Sequence, residues 1–177
     1  MGVIYRPHPW GNGGKDGGRI LSQHWSNIRI ESSMRPYLER VQQGDLSKHL
    51  PDYETTRDVM AAADAVVSPL STILIEAMML GKAPMCFMPV EEADAGHFKL
   101  AEGQVHFDEF LASDELTVAW GGEALVPGLS RLFHRIAEPS FADALKHRSE
   151  FFVSRFEEPF RARIVNYLAT VVENRSC

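Results

Sequence analysis

The sequence predicts an α/β fold, a parallel sheet flanked by helices with a helical C-terminal region. Two continuous apolar runs, Ala65-Val66-Val67 and Pro84-Met85-Cys86-Phe87-Met88, bracket an apolar segment of helical character at 71–80. A strand buried on both faces is uniformly apolar rather than alternating, and strands joined through a helix pair in parallel with a right-handed crossover. Beyond residue 126 the apolar side chains recur at helical spacing, which extends the same plan with helices.

In chain order, Val3-Ile4-Tyr5 is a short β-prone run that stops at Pro7, and the GNGGKDGG stretch at 11–18 is too rich in glycine for helix or strand. Asn27-Ile28-Arg29-Ile30-Glu31 alternates polar and apolar residues as a half-buried strand does, and 34–43 reads as a short helix. After a polar connection, 53–63 reads as a helix ending in three alanines. Gly81 stops the 71–80 helix where a left-handed C-terminal cap is wanted. Residues 91–125 are acidic and less regular, with a short edge strand at 117–120. Helical spacing then links Leu129, Leu132, Phe133 and Ile136, next Phe141, Leu145 and Phe152, and last Phe160, Ile164, Leu168 and Val171. Pro139 and Pro159 punctuate these segments near helix starts, where a missing N–H does least harm. No internal repeat is present. The expected organisation is a sheet-bearing domain over 1–125 with the helices of 126–177 packing on it.

Composition narrows the class. The chain has 177 residues, 24 acidic and 18 basic side chains, a formal charge of −6 and a 45% hydrophobic share, enough to bury a core without staples. Two cysteines, Cys86 in an apolar run and Cys177 at the end, cannot frame a disulfide scaffold, and a reduced, cytoplasmic compartment is expected. No apolar stretch reaches the roughly 18 to 20 residues of a membrane span, and the first residues lack the order of a signal peptide. Asn174-Arg175-Ser176 fits the glycosylation pattern, which matters only in a secretory lumen. Residues 1–50 carry seven basic against four acidic side chains, a balance of +3, and the remainder carries −9. Overall acidity argues against nucleic acid as a partner, whereas a small phosphorylated ligand needs only a local positive site.

In an open parallel sheet ligands sit beyond the carboxyl ends of the strands. Arg6-Pro7-His8-Pro9, Ser68-Pro69-Leu70-Ser71-Thr72 and Glu91-Glu92 fall there. Ser71 and Thr72 open a helix, where free N–H groups and hydroxyls can hold a phosphate; the alternative is plain N-capping. Glu76, one turn on, sits among Ile73, Leu74, Ile75, Ala77, Met78 and Met79, so a nearly buried carboxylate in need of partners is expected. A nucleotide's ribose hydroxyls would serve, or an ion pair with an arginine or Lys82. His8 is stiffened by prolines on both sides and can donate to a phosphate or protonate a leaving oxygen. The other six histidines show no metal-ligand spacing, and no metal site is expected. The glycine-rich loop has neither a Walker A nor a GxGxxG order.

Arg6-Pro7-His8-Pro9, then 63–72 (ADAVVSPLST) leading into 76–84 (EAMMLGKAP), resembles the C-terminal half of GT-B glycosyltransferases. The flavour is that of bacterial surface-polysaccharide enzymes, including CDP-glycerol glycerophosphotransferases and bacterial sialyltransferases, with UDP-GlcNAc 2-epimerase as a related fold. The resemblance covers about residues 3 to 90. It implies a single Rossmann-like half-domain binding a CMP-, CDP- or UDP-linked sugar, with Arg6, His8, Ser71 and Thr72 near the phosphates and Glu76 near the ribose. It implies no cofactor. Whole enzymes of this kind have two such domains around a cleft, so a partner domain or a second copy would supply the acceptor side and the catalytic base, and the full enzyme would meet the membrane peripherally. Two rivals stand beside this expectation. One is a non-catalytic interaction module that recruits a partner protein through a sheet edge such as Val3–Tyr5 or through its terminal helices. The other is epimerase chemistry, for which the adjacent Glu91 and Glu92 tend to point apart.

Overall fold

The structure, a computed structural model, describes residues 1–8, 17–45, 47–50, 52–90, 103, 105–154 and 157–174. It is α/β, with parallel sheets of two and three strands flanked by helices, consistent with a small Rossmann-like domain. Its contacts divide the chain into two units, Met1–Val59 and Met60–Cys177. The boundary expected after residue 125 falls inside a helix, Gly121–Ile136.

In the first unit, β1 (Val3–Tyr5) pairs in parallel with β2 (Ile28–Ile30), Val3 opposite Ile28 and Tyr5 opposite Ile30. Between them runs α1 (Gly17–Ser22), so Gly17 and Gly18 open a helix where a glycine loop was expected. Helix propensity weighs least in a first turn, and Arg19 to Ser22 carries the periodic part. The remainder of the expected loop, 11–16, lies outside the described residues. A 3-10 turn (Ser32–Met34) leads into α2 (Arg35–Gln42), which has proline in its first turn. Met34, Tyr37 and Leu38 are fully buried and gather Leu21, Ile30 and Val41 into a small core. Asp52 then starts α3 (Tyr53–Ala62): its carboxylate accepts the Thr55 amide at 2.8 Å and the Thr55 hydroxyl at 2.6 Å.

In the second unit, β3 (Ala65–Ser68), β4 (Ala83–Met88) and β5 (Thr117–Trp120) form a parallel sheet in that order. Ser68 stands opposite Cys86, and Met88 opposite Trp120. β4 has a neighbour on each side and is nearly all buried, as its apolar run requires. β3, expected to be equally buried, is an edge strand with Val67 exposed. α4 (Ile73–Met79) crosses from β3 to β4 and ends in a Schellman motif: the Gly81 amide donates to Met78 O at 2.8 Å and the Lys82 amide to Ala77 O at 2.9 Å, with Gly81 at φ +68°.

α5 (Val105–Leu111) lies in the stretch expected to be irregular, and buries Phe107 and Phe110. α6 (Gly121–Ile136) covers β4 and β5. At Gly128 the approach is so close that a Cβ would lie 2.7 Å from Met85 Cε and 3.2 Å from Ala119 Cβ. Its Phe133, expected in the apolar stripe, is exposed, because the face that packs runs through Gly128 and Leu132. α7 (Phe141–Phe152) packs on α4 through Phe141 and Leu145. α8 (Phe160–Asn174) forms where its spacing predicts, with Phe160, Ile164 and Leu168 exposed. Full burial of side chains such as Leu74, Met85, Phe110 and Leu132 contributes about 1.5 to 3 kcal/mol each. Among the described residues no helix is long and apolar enough to cross a membrane.

Candidate site at the carboxyl ends of the strands

The second unit sets three strand ends side by side. β3 ends at Ser68, and the chain dips through buried Leu70 before rising to half-buried Ser71 and exposed Thr72. Thr72 occupies the N-cap position of α4 in helical conformation (φ −58°, ψ −21°), and its hydroxyl makes no capping bond. The Ser71 hydroxyl accepts the Ile73 amide only at 3.5 Å. The regular ladder begins with Leu74 on Ser71 O at 3.1 Å, then Ile75 and Glu76 on Thr72 O at 3.0 Å. The amides of Ser71 and Thr72 have no backbone acceptor among the described residues. Two hydroxyls and the amides of Ser71 and Thr72 therefore lie together at one turn, donors open to water or to an anion rather than a closed cap.

Glu76 is exposed, contrary to the near-burial expected for it. α4 buries Leu74, Ile75, Ala77 and Met78 against the sheet and α7, which leaves Thr72 and Glu76, one turn apart, as its exposed positions. The carboxylate thus stands on the same face as the Thr72 hydroxyl.

β4 ends near exposed Val90, and β5 at exposed Trp120. Gly121 follows at φ +71°, with Val90 so near that a Cβ would lie 2.9 Å from its Cγ2, so the ends of β4 and β5 adjoin. Because β3 and β5 flank β4, their ends lie about 10 Å apart, and the register carries Trp120 two residues beyond the level of Ser68. An indole therefore stands at the rim that also carries Ser71, Thr72 and Glu76. Trp120 was not among the expected site residues. Its signal was an aromatic at the carboxyl end of a strand. Glu91 and Glu92 lie outside the described residues.

Arg6 and His8 belong to the first unit. Half-buried Arg6 donates from Nη2 to Thr56 Oγ1 at 2.7 Å, and its Nε lies 3.7 Å from Glu31 Oε2. Glu31 is buried, accepts the Ser33 amide and the Ser33 hydroxyl at 2.7 Å each, and caps the 3-10 turn. Arg6 is thus committed to a buried carboxylate that the sequence had read only as the end of a strand. His8 is exposed directly beyond buried Pro7.

At the amino end of the same three-stranded sheet the polar groups answer one another. The Ser113 hydroxyl donates to Glu115 at 2.6 Å, Arg148 Nε lies 3.8 Å from that carboxylate, and Arg135 donates to the Asp114 carbonyl while its guanidinium covers Phe141 at 4.2 Å. In the central strand, burial pushes the Cys86 thiol up to about 12, so at neutral pH it stays protonated and is a poor nucleophile. Among the described residues no three His, Cys, Asp or Glu side chains gather as a metal site requires. Compared with family models and with curated proteins, the sequence finds no match in either.

Proposed function

We propose that the chain is the donor-binding domain of a glycosyltransferase of the GT-B kind. It would hold a CMP-, CDP- or UDP-linked sugar in the cytoplasm for surface polysaccharide or glycoconjugate synthesis, with a partner domain or second copy supplying acceptor and base. The observation that carries this reading is the turn at Ser71 and Thr72, where uncapped hydroxyls and free amides open at the carboxyl end of β3. That is where a diphosphate finds oriented donors in a doubly wound sheet. Glu76 on the same helix face suits a ribose diol, and the Trp120 indole at the neighbouring rim suits the stacking of a flat base or the apolar face of a sugar. Arg6 acts mainly by holding the segment before His8 through Glu31 and Thr56.

Calorimetry with CMP, CDP and UDP tests it. The charge-assisted hydrogen bond lost in Ser71→Ala removes about 1.5 to 3 kcal/mol, a weakening of about 10- to 150-fold. Trp120→Ala weakens nucleotides and leaves pyrophosphate untouched. Absence of binding to all three nucleotides, or equal affinity in the variants, overturns the assignment.

The exposed Phe160, Ile164 and Leu168 of α8 favour a second reading, an interaction module. A stable dimer in light scattering without nucleotide affinity would support it.

A further inference from the structure

The first unit contains a cleft of about 180 Å³ between α1, the connection 23–27, β2 and the start of α2. It owes nothing to the donor site proposed above. Ile20 and Ile28 give it apolar wall, Trp25 an indole that is 40% exposed, and His24, Arg29 and Arg35 its polar rim. Among the described residues no carboxylate lines it. Among the described residues Arg29 has no ion pair, and Arg35 reaches only Glu39 at 3.9 Å, with both side chains more than half exposed. In a chain with a formal charge of −6, two arginines and a histidine thus line the same cleft as a tryptophan, with Glu39 the one acid paired to them among the described residues. Guanidinium forks match the geometry of phosphate and carboxylate, and indole and isoleucine faces match a flat apolar group. A cavity of about 150 Å³ takes a benzene ring, so a cleft of this size has room for one ring and its anionic substituent.

We propose that this cleft binds a small aryl phosphate, its ring against Trp25 and its phosphate between Arg29 and Arg35. Titration of the full chain with phenyl phosphate, followed by the indole N–H resonances in NMR, tests this. Trp25→Phe identifies which of the three tryptophan signals belongs to position 25. The expected result is a saturable shift of the Trp25 signal, with affinity falling about tenfold in Arg29→Ala and further in Arg29→Ala with Arg35→Ala, as loss of a charge-assisted hydrogen bond requires. Inorganic phosphate, lacking the ring, binds about tenfold more weakly, and Arg57→Ala, which removes an exposed arginine paired with Asp58, changes nothing. All replaced residues have exposed side chains, and far-UV circular dichroism confirms that the variants fold. A Trp25 signal that does not move, equal affinity in the double variant, or equal affinity for inorganic phosphate overturns the proposal.

Discussion

Replacing Gly81 with alanine tests the joint that fixes α4, and with it the Ser71 and Thr72 turn at the other end of that helix. Gly81 sits at φ +68° in the Schellman motif, where a side chain strains the backbone by about 1 kcal/mol. The new Cβ would also lie 3.1 Å from the Ala142 carbonyl oxygen and 2.9 Å from Lys146 Cε. The lysine carbon is the far end of a half-exposed side chain and swings away cheaply, but the carbonyl is α7 backbone and must shift by a few tenths of an ångström. Strain and shift together cost about 2 kcal/mol. With a urea slope of about 2 kcal/mol per M, the unfolding midpoint falls by about 1 M without a change in slope. Adding Lys146→Ala should restore only a small part of the loss, because the flexible contact is the minor one. Hydrogen exchange across 71–79 should rise in the variant, since a loosened α4–α7 contact frees the helix to fray. A midpoint within about 0.25 M of the parent, or complete rescue by Lys146→Ala, would refute the reasoning.

Three further outcomes follow from the same geometry. With Cys177→Ser as background, Cys86 should resist alkylation at neutral pH and react only after urea unfolding, because its thiol is buried with its pKa pushed up to about 12; rapid native labelling would show the central strand open. The Asp52 carboxyl is held below its ordinary range, first by the Thr55 hydroxyl and then by the Thr55 amide. A depressed folded-state pKa adds stability that is full above the unfolded value and lost as the pH falls through the folded one. Below about pH 4, Asp52→Asn, which keeps the cap without the titration, should therefore flatten the stability profile, and parallel acid curves would contradict that. For the donor site, Ser71→Ala with Thr72→Ala should weaken CDP more than either single change, with far-UV circular dichroism unchanged because neither hydroxyl makes a short capping bond in α4.

The elements that the sequence displayed best were those whose pattern is local. Val3 to Tyr5, Thr117 to Trp120 and the three C-terminal helices appear where period and punctuation put them, and Gly81 caps α4 as its position implied. Burial was harder to see, because it depends on neighbours. Ala65 to Ser68 is apolar enough for a central strand yet, among the described residues, has a strand partner on one side only. Glu76 is surrounded in sequence by apolar residues, but a seven-residue helix that packs on one side still keeps a stripe for solvent, and Glu76 lies on it. Glu31 is the converse: a carboxylate written at the end of an alternating strand is buried, because Ser33 and Arg6 come to it after folding. Phe107 and Phe110 mark a helix that the surrounding acidity concealed.

The two ends of the three-stranded sheet differ in a way that bears on function. A folded chain satisfies its buried polar groups internally and leaves exposed ones to water or to a ligand. At the amino end of β5, Ser113, Asp114 and Glu115 are occupied by one another and by Arg135 and Arg148, whose guanidiniums also cover phenylalanine rings, and the turn is closed. At the carboxyl end of β3, the Thr72 hydroxyl caps nothing, the Ser71 hydroxyl is held only at 3.5 Å, and their amides have no backbone acceptor among the described residues. Water can satisfy such groups, but water alone gives no reason for an indole to be exposed along the same rim, since an exposed ring forgoes the burial that would stabilise it. An occupant with both an anionic and a flat apolar part accounts for both features at once. The sharpest discrimination is therefore between CDP and pyrophosphate: the two share the phosphates, and only CDP should lose affinity when Trp120 is replaced by alanine.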